Sequence, residues 1–597
     1  MQQLGQEDTG GTSRLIWATL LMFAVLVAWG YFYNPAKKPA AKKEAQKQTA
    51  VQKKEGAAEK AMPSKAMAAP VLAEKQLKAI SGEKAQTFQL ANQDLLLEVD
   101  SRGGVLVHAF LKKYHHNHDI RDDLVSPLAK AMGVYPLRIR TGDPAFNKTV
   151  NEALFHVEQR SEKDGTEVLT LKWSDGKGDA VAKVLSLGPK GYLVGFDLSA
   201  VKDGKPLPSV PVVWGPGLGM LTKNQAKNRY ALKDYVALSK SGGFDQIERK
   251  KVSEKKPIVT ESYAKESAVH WAALSSNYFA AIFMPKEPIT HGIQVESIYL
   301  NKDLQKLHPE ESDVQLVVSY PGSGKLYLGP KEYFKFRKMG DHFPRLMGWG
   351  GSFLGPILTP ISGVLLWSLQ KLNNFCHNWG IAILLLTLII KLAFYPLTQR
   401  SMVKMKEMGE NMKRLKPQID RIKAKYKKMG KDMATRNKMN EEVMALYKRE
   451  GVNPLGGMGG CLPMLIQMPI FFALFEFLPR SIELRGAYFF GWIKDLSLPD
   501  PYYITPILMG VAMVISTRMS MTQTVEGAQK LMMWFMPAFF TMICLNAPAG
   551  LTLYWLANTV LQMGQQYMIN KQVAERQRAA QKARKSTPKR PSKPSHA

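Results

Sequence analysis

Three cysteines in 597 residues, Cys376, Cys461 and Cys544, supply no disulfide framework and no CxxC pair that would hold zinc. The signatures of a hydrolase, a metalloprotease or a nucleotide-driven machine are missing too. There is no GxSxG, no HExxH and no Walker loop. The sequence therefore assigns no catalytic residue, no metal and no cofactor, and the chain does not read as an enzyme. His115, His116 and His118 approach a metal cluster, but no carboxylate or cysteine constellation accompanies them, and they read as a solvated loop. Acidic side chains are scarce beside basic ones, 50 against 81, for a net charge of +31.

What is present is apolar sequence concentrated at a few places. Candidate membrane spans lie at 15–33, 379–398, 461–478, 503–518, 531–547 and 550–567, several of them shorter than the roughly 20 residues of a full crossing. The first run is long, continues as Tyr31-Phe32-Tyr33 and is preceded by a single Arg14, so it reads as an uncleaved anchor rather than a signal peptide.

Charge orients these spans. Sixteen basic residues stand against six acidic ones between Arg400 and Arg449, and the tail 568–597 carries Glu575 as its one acid. The 479–502 loop is balanced. The positive-inside rule puts the 399–454 segment and the tail in the cytoplasm and 479–502 outside, and counting through the spans then puts the 519–530 loop and the N-terminal residues 1–14 in the cytoplasm. Six spans then place the large segment between the first two outside as well. The lysines at 37, 38, 42, 43 and 47 argue locally for the opposite orientation, but long loops cross largely regardless of charge.

Residues 34–85 are rich in Ala, Lys, Gln and Pro and read as a flexible linker. From there to 345, short β-branched runs punctuated by glycine predict an antiparallel all-β sandwich that folds alone. In 352–375 the polar Ser368, Gln370, Lys371 and Asn373 are read as one face of an amphipathic helix lying in the outer interface.

Between 399 and 454, Met405, Met408, Met412, Leu415, Ile419, Ile422, Tyr426 and Met429 recur at intervals of three and four. Gly430 and Asp432 interrupt the stripe, and Met439, Val443 and Leu446 resume it, which predicts a basic helical hairpin. Nine of the 30 methionines precede residue 400, so the other 21 crowd the last third, where flexible thioethers suit varied apolar partners.

The polar groups inside the spans carry the functional question. Lys391 lies in an otherwise apolar run, Thr387 sits one helical turn before it, and Gln467 stands between Pro463 and Pro469 at a similar depth. A buried ammonium is costly, so Lys391 either faces a wet interior or snorkels to the headgroups. Glu476 sits at the opposite end of its span, too far to serve as its counter-ion. Tyr554 and Trp555 fit either an interior site or an aromatic belt.

Several motifs carry a resemblance: Asn378-Trp-Gly380, Lys391 through Thr398, Ala445 through Gly457, Leu465 through Leu474, Asp500-Pro-Tyr-Tyr503 and Gly550 through Trp555. Together they resemble the YidC membrane protein insertases over roughly 375–570, and Trp271 through Phe279 with Leu328-Gly-Pro-Lys331 extend the likeness more weakly into the β region. The Gram-negative form of that family implies a multi-domain protein: an α-helical polytopic membrane core with six spans, five forming the core, an all-β periplasmic supersandwich over 86–345 and a cytoplasmic helical hairpin. It also implies a multi-pass protein of the bacterial inner membrane, with its large domain in the periplasm. The resemblance implies an insertase and chaperone with a hydrophilic groove open to the cytoplasm, formed here by Lys391, Thr387, Gln467, Tyr554 and Trp555, with lysine where the family usually has arginine. Met464, Met468, Phe471, Phe472, Met532 and Met536 would form the slide by which a substrate span reaches lipid. Nascent membrane proteins, the Sec translocon, the ribosome, signal-recognition targeting machinery and the lipid bilayer are the implied partners. A small-molecule or ion transporter with a midplane charged site is the competing class, though no inverted repeat of spans is visible.

Overall fold

The computed structural model describes residues 78–116, 120–219, 221, 225–226, 228, 231–263, 268–290, 292–349, 351–427, 433–450, 462–520 and 528–586. The expected anchor 15–33, most of the linker 34–85, His118 and the side chains of Met464 and Met532 lie outside them.

Eighteen strands are described between Thr87 and Pro330. A meander of β1 (Thr87–Ala91), β2 (Leu95–Asp100), β3 (Val105–His116) and β4 (Ile120–Asp123) forms one sheet. His115 and His116 pair with Arg121 and Ile120 in that last hairpin, so they are strand residues rather than a loop. The chain continues through β5 (His156–Ser161), β6 (Glu167–Ser174), β7 (Ala180–Leu187), β8 (Leu193–Lys202), β9 (Lys205–Pro206) and β10 (Val210–Trp214). It then forms β11 (Tyr235–Lys240), β12 (Gly243–Ile247), β13 (Ile258–Tyr263), β14 (Val269–Ser275) and β15 (Phe279–Pro285). The last three strands are β16 (Ile293–Tyr299), β17 (Ser312–Tyr320) and β18 (Ser323–Pro330).

The long sheet runs β12-β11-β14-β15-β18-β8-β7-β6-β5, with β9 added beside β8. A second four-stranded sheet runs β10-β17-β16-β13. The four-stranded sheets pack on the long one, β1 against β6, and β10 and β17 against β8, β11 and β14. All pairings are antiparallel, and the whole is a β-sandwich.

Strand β2 alternates buried Leu95, Leu97 and Val99 with half-buried neighbours, as a strand with one covered face should. The central strand β7 is buried almost throughout, including Lys183 at 1% exposure. That ammonium donates to the carbonyls of Gly103, Gly104 and Leu137 at 2.8–2.9 Å and so satisfies three loop acceptors inside the sandwich.

Seven longer helices follow: α1 (Gly351–Cys376), α2 (Trp379–Lys427), α3 (Met433–Arg449), α4 (Leu462–Phe477), α5 (Ile504–Ser520), α6 (Ala528–Cys544) and α7 (Ala549–Ser586). Two of them ignore the expected boundaries. Helix α2 runs on without a break past 398 to Lys427, with Pro396 and Pro417 inside it, and α7 runs through most of the tail.

Capping explains two of the sequence motifs. Asn378 accepts from the Ile381 amide at the start of α2 and donates to the Phe489 carbonyl. A Cβ on Gly380 would lie 2.0 Å from the Phe489 ring, so the glycine lets that ring sit on the helix. Asp500 caps α5, accepting from the Thr505 amide and hydroxyl at 2.8 and 2.9 Å, and Thr505 contacts Thr552 of α7 at 3.1 Å. Gly510 brings α5 against α6, where a Cβ would meet the Thr541 hydroxyl at 2.2 Å.

The face expected on α1 does not form. At about 100° per residue, Ser368, Gln370, Lys371 and Asn373 are spread around the helix. Gln370 turns inward and donates to Glu483 at 3.0 Å, Ser368 bonds back to the Val364 carbonyl, and Lys371 points outward. Helix α1 instead buries Leu358, Leu365, Leu366 and Leu369 and exposes Val364 and Trp367.

The β-sandwich is also less separate than its composition suggests, because its core is continuous with that of the helices. The segment between α4 and α5 seats against it. The Pro479 carbonyl accepts from Asn277 and from the Tyr278 hydroxyl, and Trp349 meets Phe477 edge-on. Arg485 forms a bidentate ion pair with Asp122 of β4 and stacks over Tyr278 and Phe279 at 5.6 and 5.0 Å. Both charged side chains are under 10% exposed.

Candidate functional site

The apolar residues of α2 divide by face. Ala382, Ile383, Leu386 and Thr387 are buried, whereas Ile381, Leu388, Ile389 and Leu392 are exposed. Lys391 lies at the border of these faces, one turn beyond Thr387 and within about 40° of it around the axis, but also about 60° from exposed Leu388. Two turns further on the same side, Thr398 accepts from Gln565 of α7 at 3.0 Å. Lys391 is half-buried, and among the described residues it makes no hydrogen bond or ion pair. Thr387 is 1% exposed and spends its hydroxyl proton on the Ile383 carbonyl at 2.7 Å, so its polarity is largely used within its own helix.

A second polar group sits between α4 and α7. Gln467 donates to the Asn558 side-chain oxygen at 2.9 Å, and Tyr554, one turn before Asn558 on α7, is buried. Asn558 was not singled out from the sequence, although it stands one turn after Tyr554 in an otherwise apolar stretch. Trp555 points to an aromatic cluster instead. Its ring centroid lies 4.5 Å from that of Phe471, at 74°, and 3.9 Å from that of Phe540. Phe471 also touches Phe472. No hydrogen bond joins Lys391 or Thr387 to Gln467, Tyr554 or Asn558 among the described residues.

Toward the far end of α2 the contact with α7 remains polar. Gln399 donates to Gln572 at 3.1 Å, and Glu407 pairs with Arg576 at 2.9 Å. Beyond this, Leu415 and Ile419 of α2 pack on Leu446 and Tyr447 of α3, while Met405 and Met412 of the same stripe stay exposed. Glu476 pairs with Arg480 one turn on, not with Lys391.

The outer surfaces of α5 and α6 are apolar. Ile507, Leu508, Val511 and Ile515 of α5 are exposed, as are Phe535, Met536, Phe539 and Met542 of α6. Of the expected slide, Met536 belongs to this surface, Met468 is half-buried, and Phe471 and Phe472 belong to the aromatic cluster. Contiguous exposed apolar side chains on neighbouring helices require a lipid or protein cover. Among the described residues one helix, over 379–426, is long and apolar enough to cross a membrane, with an apolar window of mean hydropathy 2.2. Ile504–Ser520 and 534–544 are shorter apolar helices. No group of three or more potential metal ligands forms among the described residues.

Residues 371–577 match the family model described as the 60Kd inner membrane protein, and residues 87–366 match that of the YidC periplasmic domain. The membrane protein insertase YidC of Methylobacillus flagellatus is 30% identical over 586 residues, which cover 94% of this chain and 97% of that one. That of Syntrophus aciditrophicus is 31% identical over 486 residues, 79% and 82% of the two chains. The solved structure of an active YidC insertase with its first transmembrane domain resolved aligns over 82% of this chain and 94% of that chain, at 18% identity and a TM-score of 0.30. Two adjoining family matches and a relative aligned over nearly its whole length make this chain a member of the YidC family of membrane protein insertases, in the form that carries a periplasmic domain.

Proposed function

We propose that the chain inserts nascent membrane proteins into the inner membrane by hosting their polar segments beside Lys391, between α2, α4 and α7, and releasing their apolar spans along α4 and α6 into lipid. The observation that carries this reading is that Lys391 stands between Thr387 and Thr398 along one side of α2, at the border of its buried and exposed faces, and makes no hydrogen bond or ion pair among the described residues. An unpaired ammonium on such a face attracts carboxylates and carbonyls. It lowers the several-kcal/mol cost of carrying polar groups into hydrocarbon. Burial of the new span supplies the free energy, so no nucleotide is required. In this reading six spans place the β-sandwich in the periplasm and both termini and the α2–α3 hairpin in the cytoplasm. There the basic hairpin and tail meet the ribosome and targeting machinery, and the helical core acts alone or beside the Sec translocon.

The test is a series at Lys391, with protease protection of single-span reporters carrying neutral or acidic translocated tails. Lys391→Arg should insert both classes, because the charge is kept. Lys391→Ala should lose chiefly the acidic class, and Lys391→Glu should lose more of it. An alanine variant that inserts acidic tails as well as the parent refutes the role given to this residue.

A further inference from the structure

The side-chain amide of Gln467 is already occupied. It projects from α4, within an apolar run between Pro463 and Pro469, and donates to the side-chain oxygen of Asn558 on α7 at 2.9 Å. A primary amide left bare among apolar helices is costly. A substrate that arrives at Gln467 therefore does not gain a free hydrogen bond; it exchanges one. Asn558 is suited to such an exchange. Its oxygen is committed to Gln467, while its own amide nitrogen has no partner among the described residues, so the residue is held by one bond and gives it up singly. Lys391 differs, because among the described residues nothing is bonded to it.

We propose that Asn558 is a resident stand-in for substrate: it holds Gln467 while the site is empty, and a polar group of the translocated segment displaces it. This deepens the groove reading above and rests on it. The consequence is a polarity threshold. A segment that offers a single neutral hydrogen-bonding group only matches what Asn558 supplies, whereas a segment with an acidic group also gains Lys391 and passes the threshold. Specificity against weakly polar or purely apolar tails thus comes from an internal competitor rather than from a steric gate. Single interhelical hydrogen bonds in membranes change equilibria by about three- to twenty-fold, which sets the size of the effect.

The experiment uses the full-length protein in proteoliposomes, with reporters whose short translocated tails carry either one asparagine or one aspartate. The readout is the ratio of asparagine-tail to aspartate-tail yield. Asn558→Leu should raise that ratio by about three- to twenty-fold. Asn558→Ser, a smaller change at the same place, should raise it by less. In a Gln467→Leu background neither change should move the ratio, because the competitor then has nothing to hold. A ratio that falls or stays constant in both variants, while both resist protease in the membrane like the parent, overturns the proposal and makes Asn558 a structural or direct substrate contact. Lys391→Ala separates this result from failure of the underlying reading. If that variant loses chiefly acidic-tail insertion and Asn558 has no effect, the groove stands and only the competitor is lost. If Lys391→Ala is silent too, the groove itself is refuted.

Discussion

Removal of the Asp122 carboxylate should detach the segment between α4 and α5 from the β-sandwich. Arg485 sits at 8% side-chain exposure and Asp122 at 6%, and two hydrogen bonds join them across 363 positions of sequence. In Asp122→Ala the guanidinium keeps its stacking on Tyr278 and Phe279 but loses its bidentate carboxylate partner, an arrangement that typically costs about 3–5 kcal/mol. If the cost falls on docking, the undocked population rises by about two to nearly four orders of magnitude. Hydrogen exchange in full-length protein in nanodiscs reads this directly. The amides of Leu484, Ala487 and Leu496, which bond within the docked segment to Ser481, Leu484 and Ala487, should lose protection together, while those of β14 and β15 keep theirs. The pair Asp122→Leu with Arg485→Met should recover most of the loss, because no bare charge remains. Less than about a fivefold acceleration in the single variant, roughly 1 kcal/mol, would show that the segment is held by its apolar contacts and that the ion pair is incidental.

Three further outcomes are expected. Lys183→Met keeps the stem but strips the donor from the carbonyls of Gly103, Gly104 and Leu137, so unfolding of the sandwich should become easier by about 3 kcal/mol or more; a loss under about 1 kcal/mol would mean that those carbonyls find other donors. Burial pushes the carboxyls of Asp234 and Asp313 up to about 7, with His308, Glu310 and Arg249 around them. The folded state then binds more protons than the unfolded state between the usual carboxylate range and about pH 7, so thermal stability of the full-length protein should fall as pH rises through that window. Asp313→Asn should flatten the slope, and an unchanged slope would refute the assignment. In a variant lacking Cys376, Cys461 and Cys544, Lys163→Cys and Lys427→Cys should be labelled from opposite sides of the membrane, and labelling from the same side would end the proposed topology.

The sequence revealed Lys391 because a charge inside an apolar run is costly wherever it points, and local spacing then put Thr387 on its side. Gln467 was visible for the same reason. Asn558 escaped because a small amide within a helix carries little cost until its partner is known, and that partner lies 91 positions away. The Arg485–Asp122 pair was invisible for a stronger version of that reason. Each residue alone looks like an ordinary surface charge, and only the antiparallel arrangement of β3 and β4 brings Asp122 beneath the α4–α5 segment. The sandwich itself was legible, since alternation such as that of β2 is a local property. The polar side chains of α1 were misread because four such residues within six positions seem close in sequence while their directions diverge around the axis. The stripe of α2 was half realised: Leu415 and Ile419 found Leu446 and Tyr447, whereas Met405 and Met412 found no cover.

Helix α2 has a mechanical consequence. Its 49 residues make a rod of about 73 Å, with Lys391 near one end and the contact with α3 near the other. The distance along the axis from Pro396 to Lys427 is about 46 Å, so a tilt of about 5° at the proline sweeps the far end through about 4 Å. Pro396 interrupts the hydrogen-bond ladder just after Lys391 and provides a natural bending point. Load applied to the hairpin therefore reaches the backbone of Lys391, about 7.5 Å from that bend, with a roughly sixfold reduction in amplitude, and a large particle can push at one end while the lysine moves by less than a bond length.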